Sequence, residues 1–113
     1  MPSRDDATSV RHMLEAARKA VGFTAGRSRG ELESDELLAL GLVRLMEMIG
    51  EAATRVTEAT RERNRTIPWA QVIGMRNRLI HGYDVIDLDV LWQTVTDDLP
   101  PLIENLQRIV VAQ

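Results

Sequence analysis

Between positions 38 and 56 the residues Leu38, Leu42, Leu45, Ile49, Ala52 and Val56 recur in alternating steps of four and three. That spacing holds one apolar side chain per turn on a single side of a helix, and the two-residue period of a strand cannot produce it. Such a seam packs against neighbouring helices at a shallow crossing angle, so the rest of the chain has to supply them. Leu37, Leu40 and Met48 widen its apolar surface. The same period appears elsewhere, and no strict alternation is long enough for a sheet.

The expected first helix runs from about Asp5 to Val21, with Val10, Met13, Leu14, Ala17 and Val21 as its apolar stripe. Ser3 is placed to cap it, Asp5 and Asp6 suit its first turn, and Gly22 is placed to stop it. Gly22, Gly26 and Gly30 mark a loop, in which Ser28 and Glu31 suit a short capped turn. The long second helix takes Ser34 as N-cap and runs into the polar segment Thr60-Arg61-Glu62-Arg63-Asn64-Arg65. The third starts at Pro68, whose fixed φ and missing N–H suit the first helical position, and closes at Gly82 with His81 in or near its last turn. The fourth is capped by Asp87 and continues through Leu88, Leu91, Trp92, Val95, Leu99, Leu102, Leu106 and Ile109. Pro100 and Pro101 predict a kink or break within it. The expected fold is therefore a single all-α domain over residues 1–113, an antiparallel up-and-down four-helix bundle with its last helix kinked or broken near Pro100-Pro101.

At 113 residues the chain is long enough to bury one core. It has no cysteine, which excludes a disulfide scaffold and any thiolate metal site and fits a reducing compartment. Its two histidines lie far apart, so no metal site and no cofactor is expected. No apolar run spans a bilayer and the N-terminus lacks the apolar core of a signal peptide, so the expected location is cytoplasmic. The formal net charge of −3 argues against coating nucleic acid by bulk attraction, and any contact with RNA must be local.

One short segment concentrates chemistry. In Met75-Arg76-Asn77-Arg78-Leu79-Ile80-His81-Gly82-Tyr83-Asp84, the residues Arg76, His81 and Tyr83 stand as Arg-x4-His-x-Tyr. Cleaving RNA without a metal needs a base for the 2′-hydroxyl, an acid for the leaving 5′-oxygen and a cation for the charge growing on the phosphoryl oxygens. Histidine serves as base or acid, and arginine presents oriented donors. One His81 per chain does not easily play both parts, and a two-fold dimer brings a second. On a continuous helix Asn77 and Arg78, not Arg76, share a face with His81, so spacing leaves the choice between Arg76 and Arg78 open. Spacing alone favours the plainer reading, a His-Gly pair that merely closes a helix, solvated arginines and a core tyrosine. On the second helix Glu47, Glu51 and Arg55 follow at intervals of four, with Arg44 one turn earlier. This is either a solvated, salt-bridged face or a surface that orients the arginine or binds a nucleotide. Arg61, Arg63 and Arg65 read as a solvated helix end with a lesser claim to guiding RNA, and His12 has no evident partner.

The ordered set Arg44-Leu45-Met46-Glu47-Met48-Ile49-Gly50-Glu51-Ala52-Ala53, Ile67-Pro68-Trp69, the 75–84 segment and Asp97-Asp98-Leu99-Pro100 resembles the HEPN superfamily, and more closely the HepT-like toxin family. The resemblance covers essentially the whole chain; Pro101 departs from it. It implies a helical bundle and a metal-independent endoribonuclease toxin of a type VII-like toxin–antitoxin pair. It carries catalysis over to Arg76 and His81 at a homodimer cleft, with Asn77, Arg78, Glu47 and Glu51 in support. It also implies a minimal nucleotidyltransferase antitoxin that transfers AMP to Tyr83; the added charge two residues from His81 would repel RNA. The competing reading is a non-catalytic nucleotide- or partner-binding subunit of a two-component nucleotidyltransferase. A purely structural bundle leaves the Arg-His-Tyr grouping unexplained.

Overall fold

The computed structural model describes residues 2–81 and 85–112. Helix α1 spans Arg4–Thr24, and Ser3 caps it as expected, its Oγ accepting from the Asp6 N–H at 3.1 Å. The helix passes through Gly22 instead of stopping there. The helix ends at Thr24, and the residue that needs a positive φ is Gly26, at 74°, in the turn beyond it. A single turn, α2 (Glu31–Ser34), follows, with the Glu31 N–H bonded to the Ser28 carbonyl and no side-chain cap.

Helix α3 spans Glu36–Thr54. Its cap is Asp35, whose Oδ1 accepts from the Leu38 N–H at 3.1 Å, and not Ser34, which ends α2. All six residues of the four-three seam are buried, as predicted. The helix does not reach the polar run at 60–65, for a tertiary reason. Asp6, 1% exposed, accepts from the Thr57 N–H at 3.0 Å and from the hydroxyls of Thr57 and Thr60 at 2.6 and 2.5 Å. The backbone leaves the helix to make those bonds. Arg61 then turns back to donate to the carbonyls of Ala53 and Thr54 at the end of α3, and α4 (Glu58–Arg63) starts separately. Asp6, read from sequence as a first-turn acid, is thus also a buried anchor between α1 and α4.

The expected third helix is two helices. Pro68 stands one position before α5 (Trp69–Ile73), the backbone turns at Gly74, and α6 spans Met75–Leu79. Two very short strands follow, β1 (Ile80–His81) and β2 (Val85–Ile86), antiparallel with Ile80 opposite Ile86 and His81 opposite Val85. His81 is therefore a strand residue, not a helix terminus. Alternation turns Ile80 and Ile86 towards the core and His81 outwards. The role expected of Gly82, like that of Tyr83, lies outside the described residues.

Asp87 caps α7 (Leu88–Gln93) as predicted, its Oδ1 accepting from the Val90 N–H at 3.1 Å. The break expected near Pro100-Pro101 takes the form of a π-helical turn, Thr94–Asp98, leading into α8 (Leu99–Val111). The two prolines fall in the first turn of α8, where neither can return a hydrogen bond to the preceding turn. The Leu99 N–H reaches back five residues to the Thr94 carbonyl, and the helical path continues. The result is an up-and-down helical bundle. Helix α1 packs between α3 and α8, while α5 and α6 lie along α3. Met13, Leu42, Met46, Ile49, Leu79, Leu91, Leu99 and Leu106 are sealed in one core.

Candidate functional site

The end of α5 lies close against α3 because α3 has a glycine at the crossing. A Cβ at Gly50 would stand 3.2 Å from the Ile73 carbonyl oxygen and 3.4 Å from that of Val72. This close approach brings the start of α6 beside the polar face of α3. There Glu47 Oε1 lies 3.6 Å from Arg76 Nε, while Glu47 Oε2 lies 3.8 Å from Arg44 Nη1. Arg44 also approaches Glu51 Oε1 at 3.8 Å. None of these is a short, directed hydrogen bond, and Arg76 is half exposed. Such pairs contribute little to stability but bias where a guanidinium points. Glu47, Gly50, Glu51, Thr54, Ile73, Arg76 and Asn77 line one shallow groove.

Arg78 faces elsewhere. Its Nη2 approaches the Gln71 carbonyl at 3.5 Å, and it lines a second cleft with Pro68, Met75, Asp98 and Leu102, between α5–α6 and α8. The two arginines thus face different ways: Arg76 joins Glu47, Glu51 and Asn77, and Arg78 does not.

His81 lies outside that groove, on β1. Its Nε2 is 3.1 Å from Asp87 Oδ2, and its side chain is 63% exposed. Asp87 is fixed on three sides: it caps α7, it meets the imidazole, and its N–H donates to the Leu79 carbonyl at 2.7 Å. The Val90 N–H, then the His81 ring, hold the Asp87 carboxyl below its ordinary range against a smaller effect of burial. Sequence reasoning found Asp87 only as a cap. A hairpin, not a helical interval, joins it to His81, so periodicity carries no signal of the pair. Gly50 was likewise invisible except as one small residue in a helical run.

Among the described residues no contact joins Arg76 to His81, and no cluster of three His, Asp or Glu is arranged to hold a metal ion. No helix among them is long and apolar enough to cross a membrane. Arg61 is committed to capping α3, and Arg65 lies 3.5 Å from Glu62.

The helical bundle thus displays an arginine and a histidine from consecutive elements, each beside a carboxylate. Comparison with known proteins places it more narrowly. The family described as "Ribonuclease HepT-like" matches residues 13–109, and the chain belongs to that family. It is 31% identical over 109 residues to "Putative RNase MJ1380" of Methanocaldococcus jannaschii, covering 96% of this chain and 100% of that protein. It is 29% identical over 100 residues to "Putative RNase TTE0752" of Caldanaerobacter subterraneus subsp. tengcongensis, covering 88% and 89%. It is 33% identical over 75 residues to "Probable ribonuclease HepT" of Thermococcus cleftensis, covering 66% and 68%. No solved structure matches the chain.

Proposed function

We propose that this protein is a metal-independent endoribonuclease in which Arg76 and His81 act on one RNA phosphodiester at the junction of two copies. The observation that carries the reading is the outward presentation of both groups from adjoining elements. Arg76 is half exposed beside Glu47, and His81 is largely exposed beside Asp87. In the proposed reaction a neutral His81 takes the 2′-hydroxyl proton as that oxygen attacks phosphorus. The bond from phosphorus to the 5′-oxygen breaks, and a protonated His81 of the second copy supplies the proton to the leaving oxygen. A 2′,3′-cyclic phosphate and a 5′-hydroxyl result. Arg76 stabilises the charge on the phosphoryl oxygens.

A second copy has a surface to meet. Leu37, Leu40 and Met48 of α3 are 83%, 49% and 40% exposed, on the helix that also supplies Glu47, Gly50 and Glu51 to the groove lined by Arg76. Leu37 also borders the exposed Phe23. Apolar side chains in one row on a helix are a typical association surface. We further propose that the protein acts as the toxin of a toxin–antitoxin pair. AMP transfer to Tyr83 by a minimal nucleotidyltransferase would silence it by placing bulk and negative charge beside the phosphate site.

The deciding experiment is RNA cleavage by purified protein in EDTA, comparing wild type with H81A. Cleavage that survives EDTA and vanishes in H81A supports the reading; equal cleavage by H81A overturns it. Sedimentation of wild type and L37E/L40E tests the dimer: loss of association and of cleavage together is the expected result.

A further inference from the structure

We infer that Asp87 is a positioning residue that holds His81 in the tautomer protonated on Nε2, so that Nδ1 is the nitrogen offered to RNA. The catalytic part rests on the nuclease reading above; the tautomer does not. Asp87 Oδ2 lies 3.1 Å from Nε2, and an ionised carboxylate has acceptors only. The ring nitrogen facing it must therefore donate. A neutral imidazole has one N–H, which leaves the lone pair on Nδ1. Among the described residues Nδ1 has no hydrogen-bond partner, and the side chain is 63% exposed, so none of those residues occupies that lone pair.

The carboxylate itself is not free to swing. Its other oxygen accepts from the Val90 N–H at 3.1 Å, and the Asp87 N–H is bonded to the Leu79 carbonyl at 2.7 Å. The cap of α7 thus sets the orientation of a side chain on β1. When Nδ1 accepts the 2′-hydroxyl proton, the ring becomes an imidazolium with both nitrogens protonated, and the facing carboxylate stabilises that cation. When the imidazolium acts as acid, the proton leaves from Nδ1, and the Nε2 proton stays with Asp87 throughout. A charged acceptor on one nitrogen fixes the tautomer and ring orientation of the other, as a carboxylate does in hydrolytic triads.

Asp87→Asn keeps an equally good helix cap, while its amide accepts from one ring tautomer and donates to the other. Asp87→Ser also caps and holds the imidazole in neither. Long-range 1H–15N spectra report the tautomer directly, recorded well above the ordinary imidazole pKa of about 6.5. His12 is the only other histidine, and H12Q removes its signals. The wild type is expected to show a protonated-type Nε2 and an unprotonated-type Nδ1, with the two shifts converging in D87N and D87S. Both variants are expected to lose about 10- to 100-fold in kcat, the range of one hydrogen bond to a charged group, with KM little changed. An Nδ1-protonated wild type, or unchanged shifts and kcat in both variants, overturns the inference. Failure of the nuclease reading looks different: H81A then cleaves RNA as wild type does, whatever tautomer the spectra report.

Discussion

A Cβ placed on Gly50 would stand 3.2 Å from the carbonyl oxygen of Ile73, a backbone atom that cannot rotate away. That contact sets the spacing of α5 from α3 and, one turn further on, the approach of Arg76 to Glu47. Replacing a helical glycine with alanine ordinarily stabilises by about 0.5–1 kcal/mol. G50A is expected to forfeit that gain and lower stability by about 1 kcal/mol, because overpacking against backbone forces the helices apart. Gly41 is the control: it lies on the same helix, a Cβ there would meet nothing within 4 Å, and G41A should stabilise. Urea unfolding midpoints of the two variants give the comparison; a G50A as stable as G41A would contradict the crossing.

Arg76 and Arg78 differ in sequence only by position but face different clefts. R76A is expected to reduce kcat/KM by about 10²–10³, the usual loss when an oriented donor to a developing anion is removed. R78A is expected to change it by less than about threefold, because Arg78 turns to the cleft between α5–α6 and α8, away from Glu47 and Arg76. Cleavage kinetics on one oligonucleotide decide this, and an inverted order would move the site to the other face of α6.

Glu47 reaches Arg76 and Arg44 at 3.6 and 3.8 Å without a directed hydrogen bond. E47Q should therefore leave the unfolding midpoint within about 0.5 kcal/mol of wild type, as exposed pairs do. Catalysis should fall about 3- to 10-fold through a less ordered guanidinium, within the span such coupled pairs show. Thermal melts and kinetics on the same preparation separate the two effects.

Asp6 is a buried carboxyl whose titration is coupled to the fold. Burial disfavours its charge, but the hydroxyls of Thr57 and Thr60 and the Thr57 N–H outweigh that cost and hold its carboxyl below the ordinary 3.8. A carboxyl depressed in the folded state contributes stability that is fully present above its unfolded pKa and is lost as pH falls through the folded one. The wild type should therefore lose stability as pH drops below about 4, the unfolded carboxyl range. D6A should cost about 1.5–3 kcal/mol at neutral pH, as for hydrogen bonds to a charged group, with D6N milder. Both variants should show a flatter acid limb in urea titrations.

The bundle was legible in the chain because its signals are local. The four-three seam from Leu38 to Val56, the Ser3 and Asp87 caps and the proline pair each act within one or two turns, and each appears where expected or within a few residues of it. The misplaced boundaries share a different cause. Helix α3 ends at Thr54 because Asp6, far away in sequence, takes the Thr57 N–H, and the third helix divides where its carbonyls meet Gly50. The site shows the same division. Residue types and spacing singled out Arg76, Arg78, His81, Glu47 and Glu51, and the family resemblance favoured Arg76, whereas the different clefts of the two arginines and the contact of Asp87 with His81 came from the fold.

The sequence by itself determined that this chain is helical, where most of its apolar faces lie and which short segment gathers Arg76, Arg78, His81 and Tyr83. Tertiary structure alone decided that His81 leaves the helix for a strand, that Asp87 meets it across a hairpin and that Glu47 attends Arg76. Helical periodicity records only which side chains share a face of one element. Pairings between elements depend on where each helix stops, and here those stops are set by hydrogen bonds and close contacts from distant parts of the chain.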